Sequence, residues 1–348
     1  MYTGFPHDRR FMLYSISKDK NMHIAEFTEM CLFTTAFVDG SSSPSSPKKF
    51  TVTYTKDHAF ANPDQKITDA TPLEIDLAPD THGLDEFQIT MHSSPTVSYD
   101  MGATYNEWFS ARFGYQVKLL YIGENRRKVL GNMPPSVSGR QRDEQSQGTG
   151  ATAGAGGSSW LSSITSTTSS VVGSLLGSAK QYEGEDAGLT FADVAPYLVI
   201  STRSWENAQQ RLPAGESMDI SKFRPNIIVE GAAGEFDEDF WGELQIGSQG
   251  AKIVLTQNCA RCNSLNVDYS TGKVGESEAG KILKKLNSDR RVDPGAKWSP
   301  VFGRYGFLAK VPEGKTAAEI KVGDEVKVVR RNTARTSFGM LLSHCSIS

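Results

Sequence analysis

Cysteine is scarce in this chain: four residues in 348, at Cys31, Cys259, Cys262 and Cys345, with no even framework of spacings. That excludes a small disulfide-stapled scaffold and points to an intracellular, reducing compartment. No apolar run approaches the ~18 residues of a membrane span. The opening MYTGFPHDRR has no signal-peptide core. Excess positive charge is missing as well. A net charge of -3 and a pI near 6.1 argue against a nucleic-acid partner, which needs a broadly basic surface. The short basic clusters at 126–128 and 290–291 read as solvated faces. There is no glycine-rich phosphate loop and no GxSxG elbow, so nucleotide kinase and serine hydrolase readings have no support.

What is present is a chain with 38% hydrophobic content, enough for two domains with cores of their own. Its most informative stretch is NCARCNSLNVDYSTG at 258–272. Apolar residues at 252–255 lead in like a strand. Leu265, Val267 and Tyr269 alternate with polar neighbours, so a short strand is expected directly after Cys262, and Ser270 to Gly272 read as a turn. The cysteine pair is thus expected at a strand-to-strand corner, where a thiolate can face a cleft. Thiolates suit soft metals, and Arg261 between the cysteines is a cation that favours a deprotonated sulfur. Structural zinc would need two more ligands, but there is no second CxxC and no histidine pair at finger spacing. A redox dithiol would open a helix, against the alternation seen here. Two ordinary, partly buried cysteines are the remaining alternative.

Elsewhere strand patterns dominate. Residues 10–17 and 23–37 mix apolar and polar positions like a meander, and 50–55, 73–76 and 87–91 alternate. Tyr105, Trp108, Phe109 and Phe113 recur at helical spacing before Gly114, and 116–122 reads as a buried strand. Two further short helices are expected at 201–212 and 279–286. Phe240, Trp241 and Phe302 are assigned to the core. Residues 134–182 are rich in Ser, Gly and Thr and too long for an ordinary connection, which predicts a disordered insertion. Within it, 158–179 places Trp160, Leu161, Ile164, Val171, Val172, Leu175 and Leu176 on one side, a pattern suited to weak membrane association. The fold class expected from the whole is mainly β with a few helices (α+β), more like barrels than a βαβ sheet.

Six words occurring in one order carry a family resemblance: FADVAPYLVIS at 191–201, KFRPNIIVEG at 222–231, DEDFWGELQIG at 237–247, the CARC corner, SPVFGRYGFL at 299–308 and IKVGDEVKVV at 320–329. With them the chain resembles the MOSC domain proteins, in particular the mitochondrial amidoxime-reducing component family. DRRFML at 8–13 resembles the N-terminal β-barrel-like domain that precedes MOSC there. The resemblance implies a division into that N-terminal domain at 1–125, the insertion at 134–182, a MOSC β-barrel at 185–332 and a tail at 333–348. In the family a Tyr-Pro-x-Lys-Ser word, whose Lys and Ser help to hold the cofactor, precedes the Asp-Arg pair. Only seven residues precede Asp8 and the word is absent, so the opening strand is expected to be missing through truncation.

The same resemblance implies molybdenum cofactor (Mo-molybdopterin) as the prosthetic group and reduction of N-hydroxylated substrates as the reaction. Electrons would come from a cytochrome b5-type donor and its flavin reductase. Cys262 matches the metal ligand. Arg9, Arg224, Asn226, Ala260, Arg261 and Tyr305 match cofactor contacts, with Cys259 as nearby support. Val194 and Ala195 stand where relatives carry Thr and Ser, leaving only backbone contacts. Asp268 and Asp193 match candidate proton-handling positions. Two other readings stay open: a cofactor or sulfur carrier module, as in molybdenum cofactor sulfurase, and a non-catalytic adaptor. The mitochondrial outer membrane and the cytoplasm are not distinguished.

Overall fold

The structure, a computed structural model, describes residues 4–38, 47–130, 188–309 and 318–338. The expected insertion at 134–182, with its membrane-facing stretch at 158–179, and the end of the tail lie outside the described residues. The described chain is mostly sheet with a few short helices, as its alternating patterns predict.

In the N-terminal half, strands β1 (Phe11–Ser15), β2 (Lys20–Asn21), β3 (Phe33–Val38), β4 (Lys49–Tyr54), β5 (Leu73–Asp76), β6 (Glu86–Met91) and β7 (Ser94–Asp100) precede helix α1 (Ala103–Phe113) and strand β8 (Val117–Tyr121). They form a five-stranded sheet in the order β2-β1-β8-β7-β6 and a three-stranded sheet β3-β4-β5. Only part of the stretch at 23–37 is strand, because residues Thr28–Leu32 form a 3-10 turn first. Helix α1 buries Phe109 and Phe113 against Leu13, Val52, Ile75 and Leu119. Its aromatic spacing builds that face, and Gly114 ends it at φ 80°, a left-handed conformation natural to glycine. The β6–β7 turn is made by His92 (φ 50°) and Ser93 (φ 63°), the paired positive φ values of a two-residue hairpin.

The C-terminal half contains β9 (Tyr197–Ser201), α2 (Thr202–Gln210), β10 (Ile227–Val229), β11 (Trp241–Ile246), β12 (Ala251–Ala260), β13 (Val267–Asp268), β14 (Lys273–Val274), α3 (Ile282–Asn287), β15 (Val301–Leu308) and β16 (Val326–Arg331). Six strands pair in the order β10-β9-β15-β12-β11-β16, and only β10 with β9 is parallel. At Gly303 a Cβ would lie 2.6 Å from Ile200 Cγ2, so only glycine lets β15 pass this closely over β9. Trp241 and Phe302 are buried in the core as expected. Phe240 is only half-buried, its ring covered by the Arg335 guanidinium 4.8 Å away.

One arginine of each basic cluster expected at the surface turns inward, Arg127 and Arg290, while Lys128 and Arg291 stay exposed. Arg290 is 3% exposed and its Nη2 donates to both oxygens of Asp239, at 2.9 and 2.8 Å. Arg335 Nε donates to the same carboxylate at 2.8 Å. Arg304, also buried, donates to Asn258 Oδ1 at 2.7 Å and Thr336 Oγ1 at 2.8 Å. This network binds residues 335–338 to the sheet, so that part of the expected tail is packed structure. Arg127 is 1% exposed and joins the two halves: Nε donates to Thr190 O at 2.9 Å, Nη1 to Met91 O at 2.9 Å and Nη2 to Asp193 O at 3.2 Å. A buried guanidinium persists only where its donors are met. Here backbone carbonyls meet them, and a run of three basic letters cannot show that.

Candidate functional site

Strand β12 carries Cys259 near its end, and its pairing with β15 is irregular between Leu255 and Gln257 and again between Asn258 and Ala260. Such irregularities bend a strand and re-aim its side chains. Cys259 points inward at 1% exposure, whereas Cys262, two residues past the strand, is exposed. The strand expected directly after Cys262 is instead a 3-10 turn, Asn263–Asn266, followed by two-residue β13. Leu265 owes its burial to that turn. The β13–β14 hairpin then docks on the N-terminal half, where Thr28 Oγ1 donates to Gly272 O at 2.6 Å and Lys56 Nζ to Ser270 O at 2.6 Å.

A cavity of about 80 Å³ opens at this corner, lined by Arg9, Asp193, Ala195, Leu198, Phe223, Arg224, Asn226, Cys259, Ala260, Arg261, Cys262, Ser264 and Tyr305. Of the residues singled out from sequence, Arg9, Arg224, Asn226, Ala260, Arg261, Cys262, Tyr305 and Ala195 are thereby brought together. Val194 adjoins the lining without forming it. Asp268 lies apart: its Oδ1 accepts from the Ser270 amide at 2.8 Å and hydroxyl at 2.7 Å. Those bonds hold its carboxyl below the usual range, a turn-capping arrangement, and Asp268 is not among the residues that line the cavity. The proton-handling expectation for Asp268 therefore finds no geometric support, whereas Asp193 is in the lining.

Each arginine is held differently. Arg9 and Arg224 both have left-handed backbones, at φ 50° and 55°, uncommon for such residues and concentrated at sites where structure enforces them. Arg9 pairs with the Asp8 carboxylate, which also accepts from Asn226 Nδ2 at 3.0 Å. The other end of that amide takes the Leu198 N–H at 2.9 Å, so Asn226 ties β9 to the Asp-Arg segment. Arg224 caps a 3-10 turn, its N–H bonding Ser221 O at 2.8 Å. Its guanidinium is exposed, with no hydrogen-bond partner among the described residues. Arg261 is 8% exposed; its Nη2 donates to Phe223 O at 2.8 Å and its Nη1 to Cys259 Sγ at 2.9 Å.

The arginine between the cysteines thus bonds the inner sulfur. Burial nevertheless pushes the Cys259 thiol up, against the lowering influence of Arg261 and Tyr305. It also pushes the Tyr305 phenol well above its ordinary value. Cys259 and Tyr305 are thus uncharged walls at neutral pH. The outer Cys262 sulfur is 3.2 Å from Ser264 Oγ. At the mouth, Asp193 is 3.6 Å from His92, with its side chain 61% exposed. Its surroundings desolvate it, but His92, Arg224 and Arg9 outweigh that and hold its carboxyl down to about 2.

Three guanidiniums against the single carboxylate of Asp193 give the lining a positive balance, which favours an anionic ligand. The buried Nε of Arg261 has no hydrogen-bond partner among the described residues, an open donor in a cationic wall. Among the described residues no group of three or more His, Cys, Asp or Glu side chains could enclose a metal. A metal here would have one thiolate from the protein and its other ligands from a bound molecule. Arg9 also lines a second cleft of about 440 Å³, walled by Pro6, His7, Phe11, Thr35, Phe37, Phe50 and Leu77. Sequence reading missed Ser264, Asp8, His92 and Arg127. Asp8 was within sight beside Arg9, and Ser264 two residues past a cysteine; nothing local marked the other two.

Residues 186–327 match the sequence model of the MOSC domain family. Over 142 residues the chain is 34% identical to mitochondrial amidoxime reducing component 2 of Bos taurus, covering 40% of this chain and 38% of that protein. The human protein of that name gives the same identity and coverage. Molybdenum cofactor sulfurase of Arabidopsis thaliana is 31% identical over 149 residues, which cover 40% of this chain and 17% of that one. Residues 186–327 are thus similar to a MOSC domain, and the match spans well under half the length of these relatives.

Proposed function

We propose that the chain binds molybdenum cofactor at the cavity beside Cys262 and acts as an oxidoreductase on N-hydroxylated substrates. The observation that carries this is one exposed cysteine at the rim of a cavity whose wall presents Arg9, Arg224 and Arg261. The donor set fits the group. A single thiolate suits a metal already held by a dithiolene, and forked guanidinium donors suit a phosphate and pterin oxygens. The cleft sharing Arg9 adds room beyond the small cavity for the body of an elongated ligand. Bound there, the cofactor would supply two-electron oxygen-transfer chemistry.

The chain's own residues have narrower tasks. Cys262 would anchor the metal, Arg224 and the Arg261 Nε would hold the anionic part, and Asn226 would fix the Asp8–Arg9 segment against β9. Cys259 and Tyr305, uncharged, would exclude water behind the sulfur. Asp193, ionised, would accept a hydrogen bond from the substrate at the mouth. The electron donor is proposed to be a cytochrome b5-type protein with its flavin reductase, and the names of the relatives support a mitochondrial location. Among the described residues no helix is long and apolar enough to cross a membrane.

A carrier role has one supporting observation, since the same part of the chain matches a molybdenum cofactor sulfurase. One experiment tests both readings: measure molybdenum and pterin in the purified chain, then benzamidoxime reduction with a cytochrome b5 donor. Cofactor with turnover supports the reductase; cofactor without turnover supports the carrier. A chain that takes up neither molybdenum nor pterin under reconstitution refutes both and leaves the adaptor reading.

A further inference from the structure

We propose that His92, from the β6–β7 hairpin of the N-terminal half, is a positioning residue for Asp193 and that the two act as one unit at the cavity mouth. This rests on the function proposed above, because it gives a task to a carboxylate of that cavity.

The hairpin tip is built to present the imidazole. His92 and Ser93 have φ values of 50° and 63°, a tight two-residue turn that sets His92 at the hairpin tip with its side chain 48% exposed. His92 Nε2 lies 3.6 Å from Asp193 Oδ1. Both ends of this pair hang on one group: Arg127 donates to Met91 O at 2.9 Å and to Asp193 O at 3.2 Å. That guanidinium is 1% exposed, so the hairpin and the 190–193 segment cannot separate without stranding buried donors. With Oδ1 facing His92, Oδ2 is the oxygen left for a bound molecule. It would accept from an N–H or O–H of substrate, the polar groups that an N-hydroxylated compound carries.

Asp193 also faces Arg9 and Arg224, and at longer range His23, Arg127, Cys259 and Tyr305. Of these, His92 exerts the strongest pull on its carboxyl after desolvation. Basic side chains on three separate segments thus converge on one carboxylate, and His92 is the one carried by the β6–β7 hairpin.

The test uses the full chain without added cofactor, with 13C-labelled aspartate and Asp193→Asn to assign the Asp193 carboxyl signal. His92→Asn keeps a residue tolerant of the left-handed turn but is too short and uncharged to pair. His92→Gln keeps reach and a neutral N–H donor. The carboxyl titration midpoint should rise by about one pH unit or more in His92→Asn, and by less in His92→Gln. An unchanged midpoint in His92→Asn overturns the proposal. In the cofactor-loaded protein, His92→Asn should lower kcat by about tenfold through the lost orientation of Asp193, with little change in KM, and His92→Gln should recover part of it. Equal losses in both variants with an unmoved midpoint also overturn it. If the wild-type chain takes up no cofactor while the midpoint still shifts, the pair stands and the functional reading fails.

Discussion

Arg261 donates from Nη1 to Cys259 Sγ at 2.9 Å, so the arginine between the two cysteines faces the inner sulfur. The two members of one CxxC thereby differ: Cys259 is a buried, hydrogen-bonded thiol, and Cys262 is left at the surface. Removing Arg261 strands the Phe223 carbonyl and the Cys259 sulfur together. Arg261→Ala should destabilise the chain by about 2–3 kcal/mol, the range for losing a charge-assisted buried hydrogen bond, measured by urea unfolding.

The same difference should show in reactivity. In the native chain Cys262 should alkylate readily with iodoacetamide at pH 8, and Cys259 only after unfolding, because it is buried and its thiol is pushed up. Cys31, half-buried and pushed up to about 11, should react slowly. Peptide mass mapping over time checks the order; equal labelling of Cys259 and Cys262 in the native state contradicts it.

Replacing the outer sulfur should separate function from fold. Cys262→Ala should abolish reductase activity and molybdenum retention, while stability changes by less than about 0.5 kcal/mol, as for other exposed positions. Metal analysis beside a thermal melt gives both readings. Cys259→Ala should do the reverse in part, keeping some activity at lower stability.

Arg224 offers an exposed fork with no hydrogen-bond partner among the described residues. Arg224→Ala should weaken cofactor retention by roughly 30-fold, about 2 kcal/mol for a charge-assisted pair, without a change in melting temperature. Arg224→Lys should recover only part, since an ammonium lacks the bidentate geometry. Dissociation of pterin followed by fluorescence gives the comparison.

The Asp239 carboxylate, with Arg290 and Arg335 upon it, should be the most sensitive polar position in the C-terminal half. Asp239→Asn leaves the buried Arg290 without its counter-charge and should cost about 3–5 kcal/mol, read from denaturant midpoints. Glu238 should give a pH signature. Burial raises its carboxyl above the ordinary 4.5, although Ser204 and Ser201 hydroxyls donate to it. A folded-state value above the unfolded one gives a contribution that is full below 4.5 and lost as pH rises through the folded-state value. The melting temperature of the wild type relative to Glu238→Gln should therefore decline from pH 4 to pH 8. A flat difference would contradict the assignment.

The sequence by itself determined most of the segments that become strands and helices, because alternation and the 3.6-residue period are local records of one buried face. Phe109 and Phe113 on α1 and the apolar run of β9 are legible for that reason. It also determined that Cys262, Arg224 and Asn226 keep company, since they stand in words matched in order to a family. Only the tertiary structure decided which way each side chain turned. The irregular β12–β15 pairing sent Cys259 inward and left Cys262 out, a 3-10 turn replaced the strand expected after it, and Asp268 was spent on capping Ser270. Arg127 and Arg290 read as surface charge because a one-dimensional pattern cannot show the carbonyls and carboxylate that come from distant segments to receive them. His92 meets Asp193 for the same physical reason: their contact exists only after two sheets, about a hundred residues apart in the chain, are clamped by one buried guanidinium.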